Sequence, residues 1–100
     1  MGIEEPTPTA LAASYTQITA TIREVLIMHG RLAVDAVLLA DQDDLYQAGL
    51  TSLTSVSLML ALEAAFDIEF PERLLNQRLF QSIATLGEAV SELLAAGEAR

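Results

Sequence analysis

Asp44-Leu45-Tyr46-Gln47-Ala48-Gly49-Leu50-Thr51-Ser52-Leu53 runs directly into Thr54-Ser55-Val56-Ser57-Leu58-Met59-Leu60-Ala61-Leu62-Glu63-Ala64-Ala65-Phe66-Asp67. Leu58, Leu62 and Phe66 recur at every fourth position with Met59 alongside, which puts them on one stripe of an α-helix, the stripe a core would cover. Thr51 and Ser52 are both acceptable N-caps, so the helix is expected to start there and to run to about Asp67. Leu53, Val56, Leu60 and Ala64 follow a second three-four-four spacing, which makes the helix apolar on more than one face. That second stripe either packs against a loop or neighbouring helix, or receives a partner. Ahead of the helix, Gly49 permits a tight turn, and the turn delivers a hydroxyl to the helix start. From Leu45 to Leu62 there is no charge, yet hydroxyls and Gln47 interrupt the run, so it is not a bilayer span.

Towards the N-terminus, Leu11, Tyr15, Ile18, Ile22, Val25 and Leu26 fall on one helical stripe, and Gly30 suits the left-handed position beyond the helix end. His29 would sit in the last turn against the negative end of the dipole, a capping role rather than a catalytic one. Arg31 to Thr51 lacks clean periodicity. Asp43 to Ala48 could form one helical turn, and Val34, Val37, Leu38, Leu39, Leu45 and Leu50 are expected to tether this long loop to the core. Beyond the central helix, Ile68 to Pro71 is expected to be extended, and Pro71 to Asn76 to form a short third helix closed by Asn76. Ser82 caps a last helix with Ile83, Leu86, Val90, Leu93 and Leu94 on one stripe, ended by Gly97. The expected architecture is all-α: three main helices, a short third one, and a long loop between the first two. Residues 1–10 are expected to be a disordered lead, 11–96 the domain and 97–100 a tail.

Composition agrees with one helical domain. The 100 residues include 17 Leu and 16 Ala against 5 Val and 3 Pro. Without cysteine there is no disulfide, thiolate metal site or cysteine nucleophile, and one histidine makes no cluster. There is no lysine and no glycine-rich phosphate loop, and an enzyme built on scattered carboxylates needs a concave pocket that small bundles seldom have. A net charge of −9 disfavours nucleic acid as a partner. Leu32 to Glu72 holds eight acids and no base, which either keeps an Ala- and Leu-rich domain in solution or offers a surface to a basic partner. The start, Met1-Gly2-Ile3-Glu4-Glu5-Pro6, is unlike a secretory signal, so a cytoplasmic location is expected, with no membrane partner.

Ser52 carries the strongest chemical signal. A phosphodiester on its hydroxyl would lie at a helix N-terminus, where free N–H groups and the dipole favour an anion, although taken by itself a serine there is far more often a plain cap. The string Asp44-Leu45, Gly49-Leu50, Ser52-Leu53, Val56, Leu58, Leu62-Glu63, Phe66, Ile68 and Phe70-Pro71 resembles the acyl and peptidyl carrier protein family over about Ile18 to Leu94. The resemblance implies a four-helix bundle. It further implies a 4'-phosphopantetheine arm on Ser52, donated by coenzyme A through a magnesium-dependent phosphopantetheinyl transferase. Cargo is then held as a thioester on the arm's thiol while other enzymes load and unload it, and the carrier catalyses nothing. Docking is implied around the serine and the following helix, here Thr51, Leu53, Val56, Leu60 and Glu63.

Three positions depart from the family. Thr51 stands where Asp is usual, and Ser57 and Ala64 stand where acids are expected, leaving Glu63 as the main one. Gly49-Leu50-Thr51-Ser52-Leu53, together with Leu58-Met59-Leu60-Ala61-Leu62-Glu63 and Phe66-Asp67-Ile68-Glu69-Phe70-Pro71, is similar to small free-standing aminoacyl carrier proteins. Those are loaded by ligases related to class II aminoacyl-tRNA synthetases, and they pass cargo to a downstream acceptor enzyme. A monomer is expected. The alternative is an unmodified helical interaction module in which Ser52 only caps its helix.

Overall fold

Three apolar-periodic runs become α-helices: α1 (Thr7–His29), α2 (Ser52–Phe66) and α3 (Ile83–Ala95). The computed structural model describes the backbone of residues 7–96 and the side chains of residues 15–96. Helix α1 begins at Thr7 where Leu11 was expected, and so takes in the last four residues of the expected lead. The rest of that lead, the side chain of Leu11, Gly97 and the tail lie outside the described residues. The stripes converge on one core: Ile18, Ile22, Val25 and Leu26 from α1, Leu58 and Leu62 from α2, and Ile83, Leu86, Val90 and Leu93 from α3. Tyr15 and Leu94 stay partly exposed, at 39% and 38%, and Phe66 and Met59 pack against the core only in part.

The long loop follows a different plan from the one its apolar residues suggest. Leu45 and Leu50 are buried and Leu39 is half-buried, but Val34, Val37 and Leu38 face solvent, and the small Ala36 is buried in their place. Polar bonds, not apolar tethers, set this path. The Arg23 guanidinium on α1 donates to the carbonyls of Ala36 at 2.8 Å and Leu39 at 2.5 Å and pairs with Asp41 at 2.6 Å. A 3-10 helix, Ala36–Leu38, sits under that grip, started by Asp35, whose carboxylate accepts from the Val37 N–H. Main-chain bonds then stitch the loop down: Ala33 N–H to the Ala48 carbonyl, Leu45 N–H to that of Gln81, and Ala84 N–H to that of Asp41.

At the end of α1 the left-handed position belongs to Arg31 (φ 51°), and Gly30 is needed for another reason. A Cβ on Gly30 would lie 2.9 Å from the Leu26 carbonyl oxygen. Gly49 does have a positive φ of 117°, and a Cβ there would lie 2.7 Å from the Ala33 nitrogen, so the turn before α2 requires glycine twice over.

Helix α2 ends on Asp67 in the left-handed conformation (φ 54°), tolerated by Asp better than by most residues. In place of one short third helix come two 3-10 helices, Glu72–Leu74 and Gln77–Phe80. Asn76 starts the second and does not close the first: its side chain accepts from the N–H groups of Arg78 and Leu79. Ser82 caps α3 as expected, its hydroxyl accepting from Thr85 N–H at 3.1 Å while the Thr85 hydroxyl accepts from Ser82 N–H at 3.0 Å.

Candidate functional site

The same reciprocal cap opens α2, and it is Thr51 that provides it. Its Oγ1 accepts from Thr54 N–H at 3.1 Å, and the Thr54 hydroxyl accepts from Thr51 N–H at 2.9 Å. Ser52 is therefore the first residue inside the helix. Its exposed hydroxyl makes no hydrogen bond among the described residues, and only its backbone carbonyl is engaged, by the Ser55 hydroxyl. The idea of Ser52 as a mere cap is thus corrected: the capping function and the free hydroxyl are divided between neighbours. An anion on that hydroxyl would meet the positive end of α2, whose first turn carries no acid to repel it.

Beside Ser52 opens a cleft of about 770 Å³ between the first turns of α2 and the segment from Leu75 to Phe80. Ser52, Ser55, Val56 and Met59 form one side, and Leu75, Asn76 and Gln77 the other. Tyr46 also lines it, with its hydroxyl donating to the Gln77 carbonyl at 2.8 Å. Asp44 holds the turn that positions Tyr46, accepting from the N–H groups of Tyr46 and Gln47. Burial, and secondarily the Asp44 carboxylate, raise the Tyr46 hydroxyl above its ordinary value of 10.0, so it remains a donor at neutral pH.

The second stripe of α2 is uncovered by this chain. Leu53 is 78% exposed, Val56 52% and Leu60 57%, with Thr51, Ser57 and Ala64 also exposed. Glu63 does something else: it is half-buried, and its Oε2 accepts from the Phe70 N–H at 2.9 Å, which anchors the chain leaving α2. The structure thus brings Thr51, Ser52, Leu53, Val56 and Leu60 together and directs one oxygen of Glu63 into the fold. Other acids of the basic-free stretch are similarly engaged, Asp35 and Asp44 by the N–H groups above, Asp43 by Ala40 N–H and Asp41 by Arg23. Sequence reasoning missed the cleft itself. Tyr46 and Gln77 meet across 31 positions, and neither belongs to a periodic pattern that would have paired them.

Among the described residues no group of His, Asp and Glu could hold a metal, and no helix is long and apolar enough to cross a membrane. Residues 16–91 match the family described as phosphopantetheine attachment site, and the chain belongs to that family. It is a carrier protein, which holds an aminoacyl or acyl group on covalently attached 4'-phosphopantetheine. The aminoacyl carrier protein of Agrobacterium fabrum is 49% identical over 82 residues, covering 82% of this chain and 99% of that one. A crystal structure of an engineered Bradyrhizobium japonicum glycine:[carrier protein] ligase, complexed with carrier protein from Agrobacterium tumefaciens and ATP, contains a similar chain. The match has a TM-score of 0.73 at 49% identity and covers 75% of this chain and 97% of that one. The same kind of ligase complexed with glycylated carrier protein gives a TM-score of 0.64 at 33% identity, covering 73% and 97%.

Proposed function

We propose that Ser52 is the attachment residue, that the cargo is an aminoacyl group, and that a ligase of the glycine:[carrier protein] kind loads it. The observation that carries this is the exposed, unbonded Ser52 hydroxyl beside a helix cap already completed by Thr51 and Thr54. The residues present fit the arm: a hydroxyl to bear the phosphate, a helix N-terminus to face its charge, and a neutral cleft alongside. During attachment the Ser52 oxygen loses its proton and forms a bond to the pantetheine-bearing phosphorus of coenzyme A. The diphosphate bond breaks, and adenosine 3',5'-bisphosphate leaves. The transferase supplies the base and the magnesium. Once attached, the arm supplies the thiol on which cargo is held as a thioester.

The chain's own contribution is positional, and it catalyses nothing itself. Helix α2 holds Ser52 at a fixed edge, while Leu53, Val56 and Leu60 offer an uncharged face to any enzyme that reaches the arm. The resemblance of this chain to partners of glycine:[carrier protein] ligases supports an aminoacyl ligase as one such enzyme, followed by a downstream acceptor. A cysteine-free chain that takes its thiol from coenzyme A suits the cytoplasm. Intact mass tests the attachment. Incubation with coenzyme A, magnesium and a broad-specificity transferase should add one phosphopantetheine to the wild type and none to Ser52→Ala, which keeps its helical circular dichroism. Equal labelling of the variant, or an unlabelled wild type across several transferases, would sink the assignment.

A further inference from the structure

Thr51-Ser52-Leu53-Thr54-Ser55 contains the residues for two capping boxes set one position apart, Thr51 with Thr54 and Ser52 with Ser55. Only the first is formed. Thr51 Oγ1 accepts from Thr54 N–H and the Thr54 hydroxyl accepts from Thr51 N–H, so α2 starts at Ser52 and the exposed Ser52 hydroxyl makes no hydrogen bond among the described residues. In the second box Ser52 would take extended backbone, its oxygen would accept from Ser55 N–H, and the Ser55 hydroxyl would accept from Ser52 N–H. The parts already lie together, since the Ser55 hydroxyl donates to the Ser52 carbonyl at 2.7 Å. Serine caps at least as well as threonine, so the identity of the cap does not select the first box. What the first box gains is one helical bond, from Ser55 N–H to the Thr51 carbonyl at 2.8 Å, which the second would break. A cap and one backbone hydrogen bond are contributions of the same order, and the two helix starts therefore lie close in free energy.

We infer that Thr54 is a positioning residue for Ser52: by completing the first box it holds the start of α2 in the register that leaves the Ser52 hydroxyl free, against a Ser52–Ser55 box that would engage it. The inference rests on Ser52 being the attachment residue. In attachment the Ser52 oxygen gives up its proton to the transferase's base and bonds to the pantetheine-bearing phosphorus of coenzyme A, as the diphosphate bond breaks and adenosine 3',5'-bisphosphate leaves. An oxygen turned back onto the Ser55 N–H as a cap has a lone pair engaged and is held against the helix end, out of line for that attack. Only chains in the first register are then substrates. The transferase's apparent affinity falls with their fraction, while its turnover at saturation is unchanged.

Steady-state phosphopantetheinylation, followed by intact mass, tests this together with backbone carbon chemical shifts of the unmodified chain. Thr54→Val removes the side-chain half of the first box and should raise the transferase's KM for the carrier about tenfold at unchanged kcat, with the Ser52 Cα shift moving from helical towards extended. Thr54→Ser keeps the hydroxyl and should match the wild type in both readouts. Thr54→Val/Ser55→Ala takes the same half from each box, which restores the original balance, and should return KM to within about twofold of Ser55→Ala alone. A loss of helix stability by itself cannot produce that recovery, because the double variant lacks two hydroxyls where Thr54→Val lacks one. Wild-type kinetics for Thr54→Val overturn the inference. So does a double variant as impaired relative to Ser55→Ala as Thr54→Val is relative to the wild type. A wild type that no transferase labels overturns the Ser52 assignment and the positioning role with it, and the Ser52 shift in Thr54→Val separately reports whether the register moved.

Discussion

At Thr51 and Ser52 two adjacent hydroxyls have different tasks because one residue separates the outside of a helix from its first turn. Thr51 has extended backbone (φ −112°, ψ 169°), which turns its oxygen back onto the Thr54 N–H, whereas Ser52 is already helical and its hydroxyl makes no hydrogen bond among the described residues. Thr51→Ala should therefore cost about 1 kcal/mol in a urea melt. Thr51→Asp should cost little, because Asp also caps and an acid suits the dipole. The Asp variant should be modified faster by transferases whose usual substrates carry Asp there; equal rates would show that position 51 does not guide them. Tyr46 gives a pH signature. Its hydroxyl is raised above 10.0 in the folded state, so the unfolded chain ionises first as pH increases. The corresponding stability is complete below about pH 10 and is lost as pH climbs from there through the higher folded value. Urea midpoints of the wild type should fall over that range, and those of Tyr46→Phe should fall less.

Helix α2 serves two environments at once, and its residues divide accordingly. Leu58 and Leu62 are completely buried, so replacing either by Ala should cost about 2–5 kcal/mol through lost contacts and a cavity. Phe66, which the spacing alone assigns to the same stripe, is only half-buried and belongs at the lower end of that range or below it. Val56→Ala and Leu60→Ala remove side chains already more than half in water and should cost under about 1.5 kcal/mol, while loading by the cognate ligase drops well below wild type. Because Leu53, Val56 and Leu60 carry no charge, that loading should vary only moderately with salt. Thermal melts and loading rates on the same variants separate the two faces. Melts as damaged for Leu60→Ala as for Leu62→Ala, or unchanged loading, would show the faces to be misassigned.

For the whole molecule, Arg23 is the side chain on which the long loop depends. It gathers two carbonyls and Asp41 from positions 13 to 18 residues further along, and Asp41 in turn accepts from α3 through Ala84 N–H. Arg23→Ala should cost about 1.5–3 kcal/mol, the range for hydrogen bonds to a charged group. It should also raise hydrogen exchange at Ala33, Leu45 and Ala84 before the helix centres are affected; uniform loss of protection would make Arg23 an ordinary surface residue. The three helices, their starts at Thr51 and Ser82, and their buried stripes were legible in the sequence, because a 3.6-residue repeat and a capping hydroxyl are local signals. So was a hydroxyl, that of Ser52, at the start of the central helix. Beyond those repeats, burial in the loop went to Ala36 in place of Val37 and Leu38, because the Arg23 guanidinium decides which carbonyls turn inward. The pair of 3-10 helices, the engagement of Glu63 by Phe70 N–H and the cleft lined by Tyr46 and Gln77 arise from contacts between distant segments. Local patterning determined the helices and placed a hydroxyl at the start of α2; only the tertiary structure decided what lies beside that hydroxyl, since polar partners far apart in sequence leave no periodic trace.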